Sequence, residues 1–150
     1  MQLSQKECSF LKELKEQEKL CIAKYQRAAA CAVDGQLKGM FADLAAKEQQ
    51  HLASIEQMEQ GTVNVPAAGN ETIPTFTKVY TDVSSPDKEN DKYLCTDALA
   101  GEKHVSALYD TSVFEFKDDN ARKMLNHIQS EEQNHGKTIY NYMSANCMYN

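Results

Sequence analysis

One spacing occurs twice in this chain. Glu18 stands 30 residues before Glu48-x-x-His51, and Glu102 stands 30 residues before Glu132-x-x-His135. Residues three apart on a helix share a face, so each Glu-x-x-His pair offers an oxygen and a nitrogen to one point. A lone Glu on a partner helix completes half of a carboxylate-bridged two-metal site, and two such halves complete the site inside a four-helix bundle. The pattern leaves the chain few other folds. Four carboxylates facing one another in a core are prohibitively costly unless cations neutralise them.

The remaining sequence supplies helices of the required length. Ser4-Gln5-Lys6-Glu7 reads as a capping box that opens a helix over about 5–33. Asp34 is the expected N-cap of a second helix over 35–60, which Gly61 ends. Ser85-Pro86 supplies the N-cap and first residue of a third over 86–116, and Asp118 or Asp119 caps a fourth over 119–143. Steps of three and four trace one apolar stripe along each helix. The stripes are Leu11, Leu14, Glu18, Cys21, Tyr25, Ala28, Ala32; Leu37, Phe41, Leu44, Glu48, His51, Ile55, Met58; Cys95, Ala98, Glu102, Val105, Tyr109, Ser112, Phe116; and Ala121, Leu125, Ile128, Glu132, His135, Ile139, Tyr142. All six candidate ligands fall in the middle of a stripe, flanked by Leu, Phe, Ile and Tyr. Two divalent cations there would neutralise the carboxylates and take nitrogen from the imidazoles; iron ranks first, with manganese and zinc also compatible with this donor set.

Glu18 and Glu48 are symmetric about residue 33, and Glu102 and Glu132 about residue 117. In an antiparallel hairpin each pair therefore sits at one height. Helices of this size are about 40 Å long, and extended chain covers about 3.3 Å per residue. The 25 residues from 61 to 85 can thus cross the whole bundle and start the third helix parallel to the second. The expected fold is all-α: one domain over residues 1–150, a ferritin-like four-helix bundle of two antiparallel hairpins with a long crossover between helices 2 and 3. The halves also align at an offset of 84, with identities at Glu18/Glu102, Tyr25/Tyr109, Asp34/Asp118, Glu48/Glu132, His51/His135 and Ile55/Ile139 among others. A duplicated hairpin is the natural reading.

Composition narrows the function. A net charge of −6 lacks the basic face that a general nucleic-acid binder needs. No apolar run approaches membrane-spanning length, and no hydrophobic segment follows the N-terminus as a signal peptide would require. The chain is therefore expected to be made in the cytoplasm without a secretory leader. The five Cys include no C-x-x-C pair, which excludes a rubredoxin-type iron centre and argues against a disulfide framework.

Other groups carry weaker expectations. Tyr25 and Tyr109 lie two turns past the lone Glu residues, where a hydroxyl can reach a carboxylate or serve as a one-electron donor. Cys21 sits one turn beyond Glu18. His104 and His127 fall off the stripes and are expected on the surface, and Glu131 is expected to point sideways into solvent. The tail, with Tyr140, Tyr142, Met143, Cys147, Met148 and Tyr149, is rich in oxidisable groups.

With the six ligand positions filled, the chain resembles the ferritin-like superfamily. More narrowly it resembles the Coat F family of bacterial spore coat proteins, in the stretch from Glu18 to His51, in DKYLCTDALAGEKHVSALYDTSVFEF from Asp91 and in MLNHIQSEEQNHGKTIYNYM from Met124. That resemblance implies deposition in the spore coat, coat proteins as partners and a homodimer as one assembly state. It leaves three functions open: a di-iron or di-manganese oxidoreductase of oxidase, peroxidase or catalase type acting on O₂ or peroxide; a structural coat protein; and a metal-sequestering module. Rubrerythrins, peroxide-reducing relatives, are similar in the six ligands and in a Tyr at the place of Tyr25. They usually carry a further carboxylate where this chain has Val105, and often an iron domain rich in Cys, so efficient peroxidase turnover is not implied.

Overall fold

The computed structural model describes residues 1–67, 69 and 71–149. It contains α1 (Gln5–Cys31), α2 (Gly35–Glu59), α3 (Pro86–Val113) and α4 (Asp119–Ala145), with no strand among the described residues. None of the helices is long and apolar enough to cross a membrane. The expected caps are in place. Ser4 and Glu7 form the reciprocal capping box of α1; Asp34, Ser85 and Asp118 cap the other three through their side chains. Helix α2 closes in a Schellman turn, with Thr62 N–H donating to Gln57 O and Gly61 N–H to Met58 O. Gly61 takes φ +81°, and a Cβ there would also meet the Met1 carbonyl oxygen at 2.8 Å.

Every residue of the four expected stripes is buried. Helix boundaries differ more. Helix α1 stops at Cys31 rather than 33, and α3 at Val113 rather than 116. In both places a carboxylate from the other hairpin takes hold of the turn. Asp91, fully buried on α3, accepts from Val33 N–H at 2.8 Å, Asp34 N–H at 2.9 Å and the Tyr80 hydroxyl at 2.6 Å. Glu7 on α1 accepts from Lys117 N–H at 3.0 Å. The offset of 84 maps Glu7 onto Asp91 and Val33 onto Lys117, so the two clasps are one contact used twice. Phe116 leaves the helix yet stays buried, because the clasp turns it under the bundle end. Helix α4 runs past the expected 143 to Ala145, where Asn146 accepts from Val79 N–H and Tyr80 N–H.

The two halves of the bundle carry separate apolar cores. One gathers Tyr25, Phe41, Leu44, Cys95, Ile139 and Tyr142; the other gathers Leu11, Leu14, Ile55, Tyr109, Leu125 and Ile128. The first joins the C-terminal ends of α1 and α4 to the N-terminal ends of α2 and α3. Helices α2 and α3 are therefore parallel, and the chain between them travels the length of the bundle. It runs along α2 and α4 and is pinned repeatedly. Asn134 donates to Glu71 at 2.8 Å, Asn141 to the Pro74 carbonyl at 3.3 Å, and Gln36 exchanges two hydrogen bonds with Thr77. Phe76 packs edge-on against Tyr142 at 5.4 Å. A segment of this length without regular structure needs such anchors. Positions 68 and 70 of the crossover, and residue 150, lie outside the described residues.

The clasps give a stability prediction. Asp91→Ala frees two turn amides and a tyrosine hydroxyl together and should cost about 2–4 kcal/mol. Glu7→Ala breaks the capping box and one turn contact and should cost about 1–2 kcal/mol. Urea unfolding of the metal-free protein, compared at constant slope, measures both.

Candidate metal centre

A polar layer separates the two apolar cores, and it consists of the six residues marked by the doubled spacing. Glu18, Glu48 and Glu132 have no exposed surface, His51 and His135 are 2% exposed, and Glu102 is 4% exposed. Their donor atoms form two overlapping groups, Glu18, Glu48, His51 and Glu132, and Glu48, Glu102, Glu132 and His135, each with all donors within 4.8 Å of one another. Glu48 and Glu132 belong to both groups; Glu18 and Glu102 belong to one each. Sequence spacing carried this information because an antiparallel hairpin brings residues equidistant from its turn to one level, and the two hairpins meet face to face.

Both imidazoles direct Nδ1 at the carboxylates. His51 Nδ1 lies 3.2 Å from Glu48 and 3.0 Å from Glu132, and His135 Nδ1 lies 2.9 Å from Glu48 and 3.3 Å from Glu132. The rings stack with centroids 5.6 Å apart. The two tyrosines cross between hairpins: Tyr25 on α1 donates to Glu102 on α3, and Tyr109 on α3 donates to Glu18 on α1. Each hydroxyl thereby holds the orientation of a lone carboxylate in the other half.

The outer nitrogens of the two histidines differ. His51 Nε2 meets Glu131 at 2.5 Å, and Glu131 also lies 3.3 Å from His127 Nε2. The expectation that Glu131 points into solvent is therefore corrected: it is partly buried against His51, and it draws the half-exposed His127 toward the centre. A carboxylate on the far nitrogen of a histidine fixes which nitrogen carries the proton and strengthens the other as a ligand. The stripe argument missed Glu131 because it lies off the buried face of α4, although its i,i+4 spacing from His127 was visible. The counterpart of Glu131 in the first hairpin is Lys47, and His135 Nε2 has no hydrogen-bond partner. Cys21 is buried but belongs to neither donor group, and His104 is exposed as expected.

Without cations the layer must neutralise itself with protons. Burial, together with the neighbouring Glu48 carboxylate, pushes the Glu18 carboxyl up to about 11. Burial and contact with Glu132 likewise lift Glu102 well above the carboxylate range. For Glu48 burial also acts upward, but hydrogen bonds from His135 and His51 outweigh it and hold the group ionised; Glu132 is lowered in the same way. Burial disfavours charge on the histidines, but the carboxylates outweigh it, raising His135 to about 12 and His51 well above its ordinary value. The metal-free layer thus pairs two imidazolium ions with two carboxylates and keeps two carboxyls neutral.

That arrangement is incomplete as a hydrogen-bond network. Glu18 Oε2, Glu102 Oε2, Glu132 Oε2 and His135 Nε2 are buried with no partner. Buried polar atoms are normally satisfied, and orphaned carboxylate oxygens in a ring of donors fit a place for cations. Two clefts lie under the crossover beside this layer. One, of about 650 Å³, reaches His135, and the other, of about 380 Å³, reaches His51 and Glu131.

The protonation pattern separates two substitutions that look alike. Glu18→Gln replaces a neutral carboxyl by a neutral amide that still accepts from Tyr109, so the metal-free protein should lose no more than about 1 kcal/mol. Glu48→Gln removes one of the two ionised carboxylates that pair with both histidines and should cost about 3 kcal/mol. Thermal melts at pH 7 with a chelator present distinguish them.

The Coat F domain family matches the chain over residues 90–150, which span most of α3, the second turn and α4. Of the three stretches that carried the resemblance, it takes in those from Asp91 and Met124 and leaves out Glu18 to His51. No curated protein and no solved structure matches the chain.

Proposed function

We propose that this is a spore coat protein of ferritin-like fold whose polar layer holds two divalent metal ions, through Glu18, Glu48, His51, Glu102, Glu132 and His135. The observation that carries this reading is the pair of overlapping donor groups with orphaned carboxylate oxygens in the buried middle of the bundle. The coat assignment rests on the match over residues 90–150. Glu18 and His51 would help hold one ion and Glu102 and His135 the other, with Glu48 and Glu132 available to both.

Bound there, iron or manganese would supply Lewis acidity and electrons toward O₂ or peroxide. The chain's own residues support such chemistry in stated ways. Tyr25 and Tyr109 orient Glu102 and Glu18 through their hydroxyls. Glu131 holds the proton of His51 at Nε2 and leaves Nδ1 free to ligate. The apolar cores above and below exclude bulk water.

A second reading, in which the metals chiefly hold the helices together in a structural coat protein, draws on the same orphaned atoms, since binding to the folded state alone raises stability. Anaerobic addition of Fe(II), followed by O₂ or H₂O₂, separates the two. Rapid optical change with turnover supports the oxidoreductase. A rise in melting temperature with Fe, Mn or Zn and no redox response supports the structural role. Failure to retain any metal contradicts both.

Charge neutrality also sets a pH dependence. Cations must displace two carboxyl and two imidazolium protons from groups whose affinities for protons are raised. Metal affinity should therefore rise with pH across the neutral range and fall as acid is added. Calorimetric binding heats at pH 7 should vary with the ionisation enthalpy of the buffer; heats independent of buffer would contradict the proton inventory.

A further inference from the structure

The duplicated hairpins differ at a further place on the centre's flank. A cleft of about 400 Å³ lies between α3 and α4, and its lining includes Glu102, Glu132, Ser106 and Gly136. The clefts under the crossover reach the histidines; this one is lined by Glu102 and Glu132. The Oε2 atoms of Glu102 and Glu132 are both buried and both without a hydrogen-bond partner. The offset of 84 gives each lining residue a counterpart in the first hairpin. Glu102, Lys103, Glu132 and Gln133 map onto the same residue types at 18, 19, 48 and 49, but Leu99 maps onto Lys15, Ser106 onto Ile22 and Gly136 onto Leu52. Branched aliphatic side chains thus stand beside Glu18 where a hydroxymethyl group and a hydrogen atom stand beside Glu102. Burial follows the same difference, with Glu102 4% exposed and Glu18 0%.

Gly136 is not required by the backbone. It lies inside α4 without a positive φ, and a Cβ there would meet only the Leu99 side chain, at an ordinary 3.7 Å. Glycine in a helix interior lowers stability relative to alanine, so a position that tolerates a side chain but lacks one leaves space at a cost to the helix. The space adjoins Glu102 and Glu132, the residues that carry two of the orphaned oxygens.

We propose that this α3–α4 cleft is the binding port through which a small coordinating molecule, of the size of peroxide or azide, reaches the metal position formed by Glu102 and His135. The port makes the two metal positions unequal on this flank: the cleft reaches Glu102, whereas Ile22 and Leu52 take the matching places in the first hairpin. The exposed Lys103 at the rim adds a positive charge that favours an anion at the mouth. The inference rests on the two-metal reading and assigns an entrance to it.

The test uses the full chain loaded with Co(II), whose visible spectrum reports its ligands, titrated with azide. The unmodified protein should bind Co(II) and change its spectrum on azide addition. Ser106→Ile and Gly136→Leu, which install the residues of the first hairpin, should keep the Co(II) stoichiometry and weaken azide binding at least about tenfold. Gly136→Ala, which adds only the Cβ, should raise the melting temperature and leave most of the azide response, so a folding defect of the leucine variant does not decide the result. Full azide affinity in both Ser106→Ile and Gly136→Leu, with Co(II) bound, would overturn the port while leaving the metal site standing. No Co(II) uptake by the unmodified protein would overturn the two-metal reading, and the port with it.

Discussion

Four carboxylates and two imidazoles occupy a single layer across the middle of this bundle, with apolar cores on either side. Nothing else in the chain sets so strict a condition on its fold. Charge buried at this density is stable only if each group has a partner of opposite sign or is neutralised by a proton or a cation. The imidazolium–carboxylate pairs and the two neutral carboxyls meet that condition in the metal-free chain, but they leave three carboxylate oxygens and one imidazole nitrogen unsatisfied. The remaining architecture holds the layer in place. Tyrosines cross between hairpins to hold the lone carboxylates, carboxylates at the bundle ends clasp the opposite turns, and the crossover lies along α2 and α4, where both histidines sit.

The pseudo-twofold relation between hairpins explains why these devices come in pairs. Tyr25 with Glu102 and Tyr109 with Glu18 are one contact repeated, as are Glu7 with Lys117 and Asp91 with Val33. Departures from the symmetry are then informative, because duplication supplies the reference within the same molecule. Glu131 against Lys47 gives the two histidines different outer partners. Ser106 and Gly136 against Ile22 and Leu52 give the two lone carboxylates different neighbours. Both departures fall around the centre.

Much of this was legible in the sequence, for a physical reason. Helical periodicity and hairpin symmetry are local rules, so the four stripes, the caps at Ser4, Asp34, Ser85 and Asp118, and the level of the six candidate ligands could be read from spacing alone. The misjudged features depend on contacts between elements distant in the chain. The early ends of α1 and α3 follow from Asp91 and Glu7 seizing turns in the other hairpin, and no pattern near residues 31 or 113 announces that. The extension of α4 follows from Asn146 anchoring the crossover. Glu131 looked solvated because its place off the stripe was weighed without the neighbouring helix that brings His51 against it.

The coat assignment and the metal chemistry stand on different supports, the first on the match over residues 90–150 and the second on the donor geometry. The central claim is the geometric one, and crystals grown with Mn(II) test it most directly. Anomalous difference maps should show two peaks inside the bundle, roughly 3.5–4 Å apart, with Glu48 and Glu132 between them. A layer that stays free of anomalous density at saturating Mn(II), with its carboxylates and imidazoles still paired as in the metal-free chain, would contradict the account.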